Sequence, residues 1–122
     1  MQHAAQAYGS IARQTASPRE LEASLLLKAA AQLQNIKDNW ERDAKTLDTA
    51  LLYNRKLWTI FMAAVTDDAH PLPANIRQNI ANLGIFVMKQ TVEVLARPAP
   101  ERLNTLININ RELASGLRQN AA

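Results

Sequence analysis

The sequence predicts an all-α fold, a compact bundle of about four helices forming one domain over residues 1–122 with a partly ordered N-terminal arm. Three observations carry this. Apolar residues recur at spacings of three and four, the period of a helix with one buried face. Proline-bearing breaks at Pro18, at Pro71 and Pro73, and at Pro98 and Pro100 divide the chain into helix-sized pieces. The composition is 48% apolar with only three glycines and six aromatic residues, which favours helices over strands. A chain of 122 residues encloses one hydrophobic core more readily than two.

Residues 1–16 show little periodicity and read as an arm, in which Tyr8 and Ile11 could pack back on the body. Ser17-Pro18-Arg19-Glu20 reads as a helix start: Ser17 caps, Pro18 takes the first helical position, and Glu20 reaches back to the cap. The first helix, about 18–37, presents Leu21, Leu25, Ala29, Leu33 and Ile36, widened by Leu26 and Ala30. A polar stretch to Thr46 makes a turn, with Trp40 and Ala44 as a helical lead-in to the second helix, about 43–65. At 100° per residue, Leu47, Leu51, Asn54, Trp58, Phe61 and Val65 share a narrow arc there. Tyr53, Leu57, Ile60 and Ala64 form a second ridge beside it.

Residues 66–73 break the pattern with paired acids and two prolines, and Pro73 opens the third helix, about 73–96. This helix has two apolar stripes: Ile76, Ile80, Leu83, Val87 and Val94 on one side, and Ala81, Ile85, Met88, Val92 and Leu95 on the other. A helix apolar on two sides is either central in a bundle or keeps one face for a partner. Gly84 within it permits a close helix approach. After the break at 97–100, the fourth helix, about 100–117, gathers Leu103, Leu106, Ile107, Asn110, Leu113, Ala114 and Leu117 on one face, and the tail after Gly116 is expected to fray. Asn54 and Asn110 both sit inside apolar seams and form the polar part of the core; they could pair with each other or with backbone, fixing helix register, or accept polar groups of an inserted helix.

The same residues exclude much chemistry. No cysteine is present, so thiol nucleophiles, disulfides and thiolate metal sites are ruled out. His3 and His70 stand apart, without metal-ligand spacing, and no Gly-rich phosphate loop or nucleophile elbow occurs. The expectation is therefore a binding protein, not an enzyme, with no cofactor and no metal. The formal charge of +3 is spread singly, often beside acids, without the basic stripe of a nucleic-acid binder. No apolar run is long enough to span a membrane and no secretory signal is present, which points to the cytoplasm. The spare ridges of the second and third helices suggest a groove that accepts an amphipathic helix.

Several short motifs, in order along nearly the whole chain, resemble the FlaF family of flagellar biosynthesis proteins. They are Ala7-Tyr8, Pro18-Arg19-Glu20-Leu21-Glu22-Ala23 with Leu25-Leu26, Asn54-Arg55-Lys56-Leu57-Trp58, Leu72-Pro73, and Ile109-Asn110-Arg111 with Gly116-Leu117. Asn108 departs from the pattern, standing where an acid is expected. The resemblance implies a role in flagellin synthesis and export, direct binding of flagellin as a secretion chaperone, and action alongside the translational regulator FlbT. On that reading the second and third helices clasp a flagellin helix through Tyr53, Leu57, Ile60, Ile85, Met88 and Val92, with Arg55 or Arg111 orienting it. The competing expectations are regulation of flagellin messenger RNA, directly or with FlbT, and a homodimer joined through the spare ridges.

Overall fold

The computed structural model describes residues 18–119; among them are four long helices and no strand, the class the sequence predicts. The long helices are α1 (Pro18–Asp38), α3 (Leu47–Val65), α4 (Ala74–Ala96) and α5 (Asn104–Gln119). A single turn, α2 (Trp40–Asp43), and a 3-10 turn at Ala44–Thr46 lead into α3, and a second 3-10 turn at Pro100–Leu103 opens α5. The expectations for Ser17 and for the arm with Tyr8 and Ile11 lie outside the described residues. None of the described helices is long and apolar enough to cross a membrane.

α1 buries most of the expected face and departs from it at Leu21, Leu25 and Ala23. Ala23, Leu26, Ala29, Ala30, Leu33 and Ile36 are buried, whereas Leu21 and Leu25 are only half-buried. The face is centred on Leu26, and its three alanines let α5 approach closely, which gives the most extensive helix pairing in the molecule. Asn39 ends α1: its backbone and side-chain N–H groups both donate to Asn35 O, and its own carbonyl starts the next turn by accepting from Asp43 N at 2.8 Å. The lead-in expected at Trp40 is therefore present, but α3 proper begins at Leu47, four residues later than expected.

α3 buries Leu47, Leu51, Asn54, Trp58, Phe61 and Val65, the whole expected arc, and adds Ala50 and Leu57. Trp58 is the largest fully buried side chain, and its ring meets Phe61 edge to face at 6.1 Å. α4 follows after residues 66–73 and packs mainly on α3, touching α5 only lightly. Pro73 sits just outside α4 with an extended backbone, and its carbonyl accepts from Arg77 N. Arg77 then holds the corner: its guanidinium donates to Val65 O at 3.1 Å, the last carbonyl of α3, and to Asp67 O and Leu72 O of the connecting segment, each at 3.2 Å. α5 buries Leu103 from its opening turn with Leu106, Ile107, Asn110, Ala114 and Leu117, as expected. It runs on through Gly116 to Gln119 where fraying was expected, because Leu117 is itself held in the core.

Two polar side chains organise the centre. Trp58 Nε1–H donates to Asn110 Oδ1 at 2.9 Å, while Asn110 Nδ2 donates to Asn54 Oδ1 at 2.7 Å and to Leu26 O at 3.3 Å. Both alternatives open to the asparagines are thus realised, amide to amide and amide to backbone, and the amide of Asn110 ties α1, α3 and α5 together. Asn54 Nδ2 is buried and has no hydrogen-bond partner among the described residues.

Substituting Asn110 by Leu strands Trp58 Nε1 and Asn54 together, and each buried group left unpaired costs about 1–3 kcal/mol. Asn54→Leu removes an orphan donor and leaves Asn110 its contact with Leu26, so urea titration is expected to rank Asn110→Leu well below Asn54→Leu in stability. The reverse order would show that the hub is not Asn110. A second expectation concerns Gly84, where an added Cβ would overlap Met62 Cγ and Sδ. Gly84→Ala gains up to about 1 kcal/mol in helix propensity but overpacks at a cost of about 1–3 kcal/mol. It should destabilise the parent and stabilise a Met62→Ala background; additive effects in that cycle would remove the contact from the account.

Candidate functional site

A helix with one principal neighbour cannot bury two apolar stripes, and among the described residues α4 is in that position. Its first stripe turns inward, with Ile80, Val87 and Val94 buried around Gly84 and Thr91. Thr91 is neutralised locally, its hydroxyl donating to Val87 O at 2.7 Å. The second stripe stays on the surface: Ile85 is 49% exposed, Val92 65% and Leu95 46%, with Ala81 and Met88 half-buried along the edge that meets the core. The residues 81, 85, 88, 92 and 95 follow a 4-3-4-3 spacing, so they form one continuous strip about 21 Å long at 1.5 Å rise per residue.

Which side of α3 lies beside that strip follows from Met62, the residue that meets Gly84. Arg55 lies seven residues before Met62 and so points nearly the same way, while Leu52 and Thr59 both lie to one side of that direction by less than a quarter turn, at about 100° per residue. Leu52 is half-exposed and Arg55 fully on the surface, and with Lys56, Thr59 and Ile60 they line an open depression of about 520 Å³. The candidate surface is therefore an apolar strip on α4 bordered by Leu52 and by the cations of Arg55 and Lys56.

The expected ridge on α3 is broken up. Tyr53 lies nine residues from Met62, half a turn around the helix, and faces α1, where Lys28 Nζ stands 5.6 Å from its ring centroid. Leu57 is a correction: only 6% exposed, it belongs to the core, because it sits four residues before the buried Phe61 and three after the buried Asn54. Ile60 is indeed exposed, at 65%, but on the far side of the depression from α4. Arg111 is exposed on α5 and donates to Gln34 Oε1 of α1 at 3.3 Å, well apart from the strip. Ile85, Met88 and Val92 share one strip of α4, and Arg55 lies on the side of α3 that the helical angle places beside it; Tyr53, Leu57 and Arg111 are not with them.

Four exposed large apolar residues were missing from the expected site: Leu52, Phe86, Ile76 and Leu95. The signal for the first two was present, since Leu52 stands between Arg55 and Lys56 on the outer side of α3, and Phe86 lies in the polar strip of α4 with Asn82 and Glu93. A large apolar side chain on an otherwise solvated face is the informative exception. Among the described residues, no three or more His, Asp or Glu side chains are grouped as metal ligands would be.

Arg42 and Asp43 shift one another at the surface, their hydrogen bond raising the guanidinium and lowering the carboxyl, and Glu22 is perturbed by burial. Half-burial of Glu22 on α1 raises its carboxyl above the usual range, and the positive charge of His70 and Arg19 nearby pulls it partly back.

Compared with known proteins, the chain matches the family described as Flagellar protein FlaF over residues 4–117. No curated protein and no solved structure matches it.

A carboxyl whose pKa is raised by folding favours the fold in its neutral form, so its contribution falls as pH rises through the raised value. Glu22→Gln should therefore raise the thermal midpoint at pH 7, with the gain shrinking to nothing in acid. A loss of stability at pH 7 would mean that attraction to His70 and Arg19 outweighs burial.

Proposed function

The chain belongs to the FlaF family of flagellar proteins, and from that premise we propose that it is a flagellin-binding export chaperone that covers an amphipathic flagellin helix. The observation that carries the reading is the strip of Ala81, Ile85, Met88, Val92 and Leu95, kept at the surface of an edge helix. Water in contact with such a face is unfavourable by roughly 25 cal/mol per Å² of apolar area. A guest that presents its own apolar stripe relieves that cost without altering the core beneath.

Shape and charge narrow the guest. The strip runs along a helix axis for about four turns, about 5.4 Å each, which suits a helix laid alongside and not a compact ligand. Met88 at its inner edge is an adaptable, polarisable contact. Arg55 and Lys56 beside Leu52 favour a helix whose apolar face is bordered by acids, and Arg55 takes the orienting role that Arg111, paired with Gln34, does not share. Scattered surface charge offers no comparable support for binding messenger RNA.

Purified chain mixed with monomeric flagellin should form a complex measurable by calorimetry or size-exclusion chromatography. Ile85→Glu with Val92→Glu should abolish capture, a loss of at least about 100-fold in affinity for two buried charges at about 1.4 kcal/mol per tenfold, while circular dichroism stays unchanged because both positions are exposed. Retained capture would remove the strip from the mechanism, and loss of helicity would show that these residues are core.

A further inference from the structure

The strip on α4 differs in charge from one end to the other. Met62 of α3 meets Gly84, and Val65 and Thr66 share a depression with Ala81, so the two helices run antiparallel and their levels can be matched. Arg55, seven residues before Met62, stands level with residues 91–92 of α4, about 10.5 Å along from Gly84 at 1.5 Å per residue. Lys89 borders the same stretch from the other side, four residues after Ile85 and three before Val92. Both cations are exposed, and among the described residues neither is in an ion pair; Lys56 adds a third charge beside Arg55. At the Ala81 end the sign reverses. Asp68, fully exposed, lies with Thr66, Gln78 and Ala81 around a depression of about 320 Å³. Arg77 stands 3.8 Å from it, but its side chain is mostly buried and gives its N–H groups to three backbone carbonyls. Asp48 falls beyond the strip, level with residue 98, and Glu93 projects about a third of a turn away from the strip's centre line.

Resting on the reading of the strip as a helix-binding face, we infer that it selects the direction of its guest. The partner is an amphipathic helix whose apolar stripe is bordered by acids at one end, and that end seats between Arg55 and Lys89 while its basic or uncharged end lies over Ala81 beside Asp68. Apolar contact alone gives no direction, since a helix laid along Ala81, Ile85, Met88 and Val92 covers the same area either way round. Exposed charge pairs are individually weak, yet here both ends of the strip favour one placement and penalise the reverse, which is how charge confers register and specificity more than affinity.

The absence of cysteine makes the full chain a clean background for disulfide trapping at Gln78→Cys or Ala96→Cys, exposed positions on the same border of the strip and about 27 Å apart. The probes are two synthetic amphipathic peptides of about 18 residues with one apolar stripe. One has glutamates along its N-terminal half and lysines along its C-terminal half, the other has that order exchanged, and each carries a cysteine at its glutamate end. In both peptides this cysteine should close with Ala96→Cys at least about tenfold faster than with Gln78→Cys at low salt, and the ratio should fall to within about twofold near 1 M salt. Arg55→Glu, Lys89→Glu and Asp68→Lys together should exchange the two rates; where circular dichroism shows that this variant misfolds, the salt series carries the test. Equal rates at the two positions, or a preference that follows the peptide's N-terminus and not its charges, overturns the inference. Trapping that survives Ile85→Glu with Val92→Glu sinks the strip as a helix-binding face and the inference with it, whereas trapping lost in that variant but without an end preference sinks the direction alone.

Discussion

Everything in the bundle is positioned against one amide. Asn110 accepts from the indole of Trp58 and donates to Asn54 and to the carbonyl of Leu26, so a single side chain fixes the axial register of α1, α3 and α5. An apolar seam tolerates sliding, because leucines exchange neighbours at little cost. A buried amide does not, since any shift by a turn leaves indole and amide groups unpaired in a medium where that is expensive. The orphan donor of Asn54 is the residual cost of this arrangement: the hub uses the acceptor of Asn54 and leaves its N–H₂ unanswered.

With three helices fixed in this way, α4 is added from outside. It is fastened by the Met62–Gly84 approach and by the Arg77 corner, both of which hold it to α3. A helix so placed has one inner face and two flanks, and the sequence fills both flanks with apolar residues. One flank becomes the long strip of Ile85, Val92 and Leu95; the other becomes the wall of a cleft below Leu113 and Leu117. The edge position of α4 among the described residues thus leaves apolar side chains on both of its flanks.

Legibility followed the locality of the cause. The core faces of α3 and α5 were readable because their apolar residues fall in narrow arcs, and the inward asparagines were readable because they interrupt those arcs. In α1 leucines lie on several sides: Leu26, Ala29, Ala30, Leu33 and Ile36 were legible, whereas the half-burial of Leu21 and Leu25 and the burial of Ala23 depend on a neighbour that periodicity does not reveal. The α4 strip was legible from its spacing, whereas the idea that Tyr53, Leu57 and Ile60 would complete a groove failed. The flank of α3 that receives α4 is decided by the Met62–Gly84 contact, which is tertiary. Arg77 left no trace in the reading because its partners are backbone carbonyls, identical at every residue.

The pairing of α1 with α5 has a consequence for how the molecule is made. Leu26 and Asn110 meet across a separation of 84 residues, whereas α3 and α4 are joined by a short corner. Loop closure for the hairpin is inexpensive and can proceed as soon as its two strands of sequence have left the ribosome. The helix carrying Asn110 is synthesised after the others, and until it arrives α1 has no lid and the indole of Trp58 has no acceptor. Completion of the core therefore waits for the segment that carries Asn110, and a chain interrupted before residue 110 holds a formed hairpin but an unsealed interior.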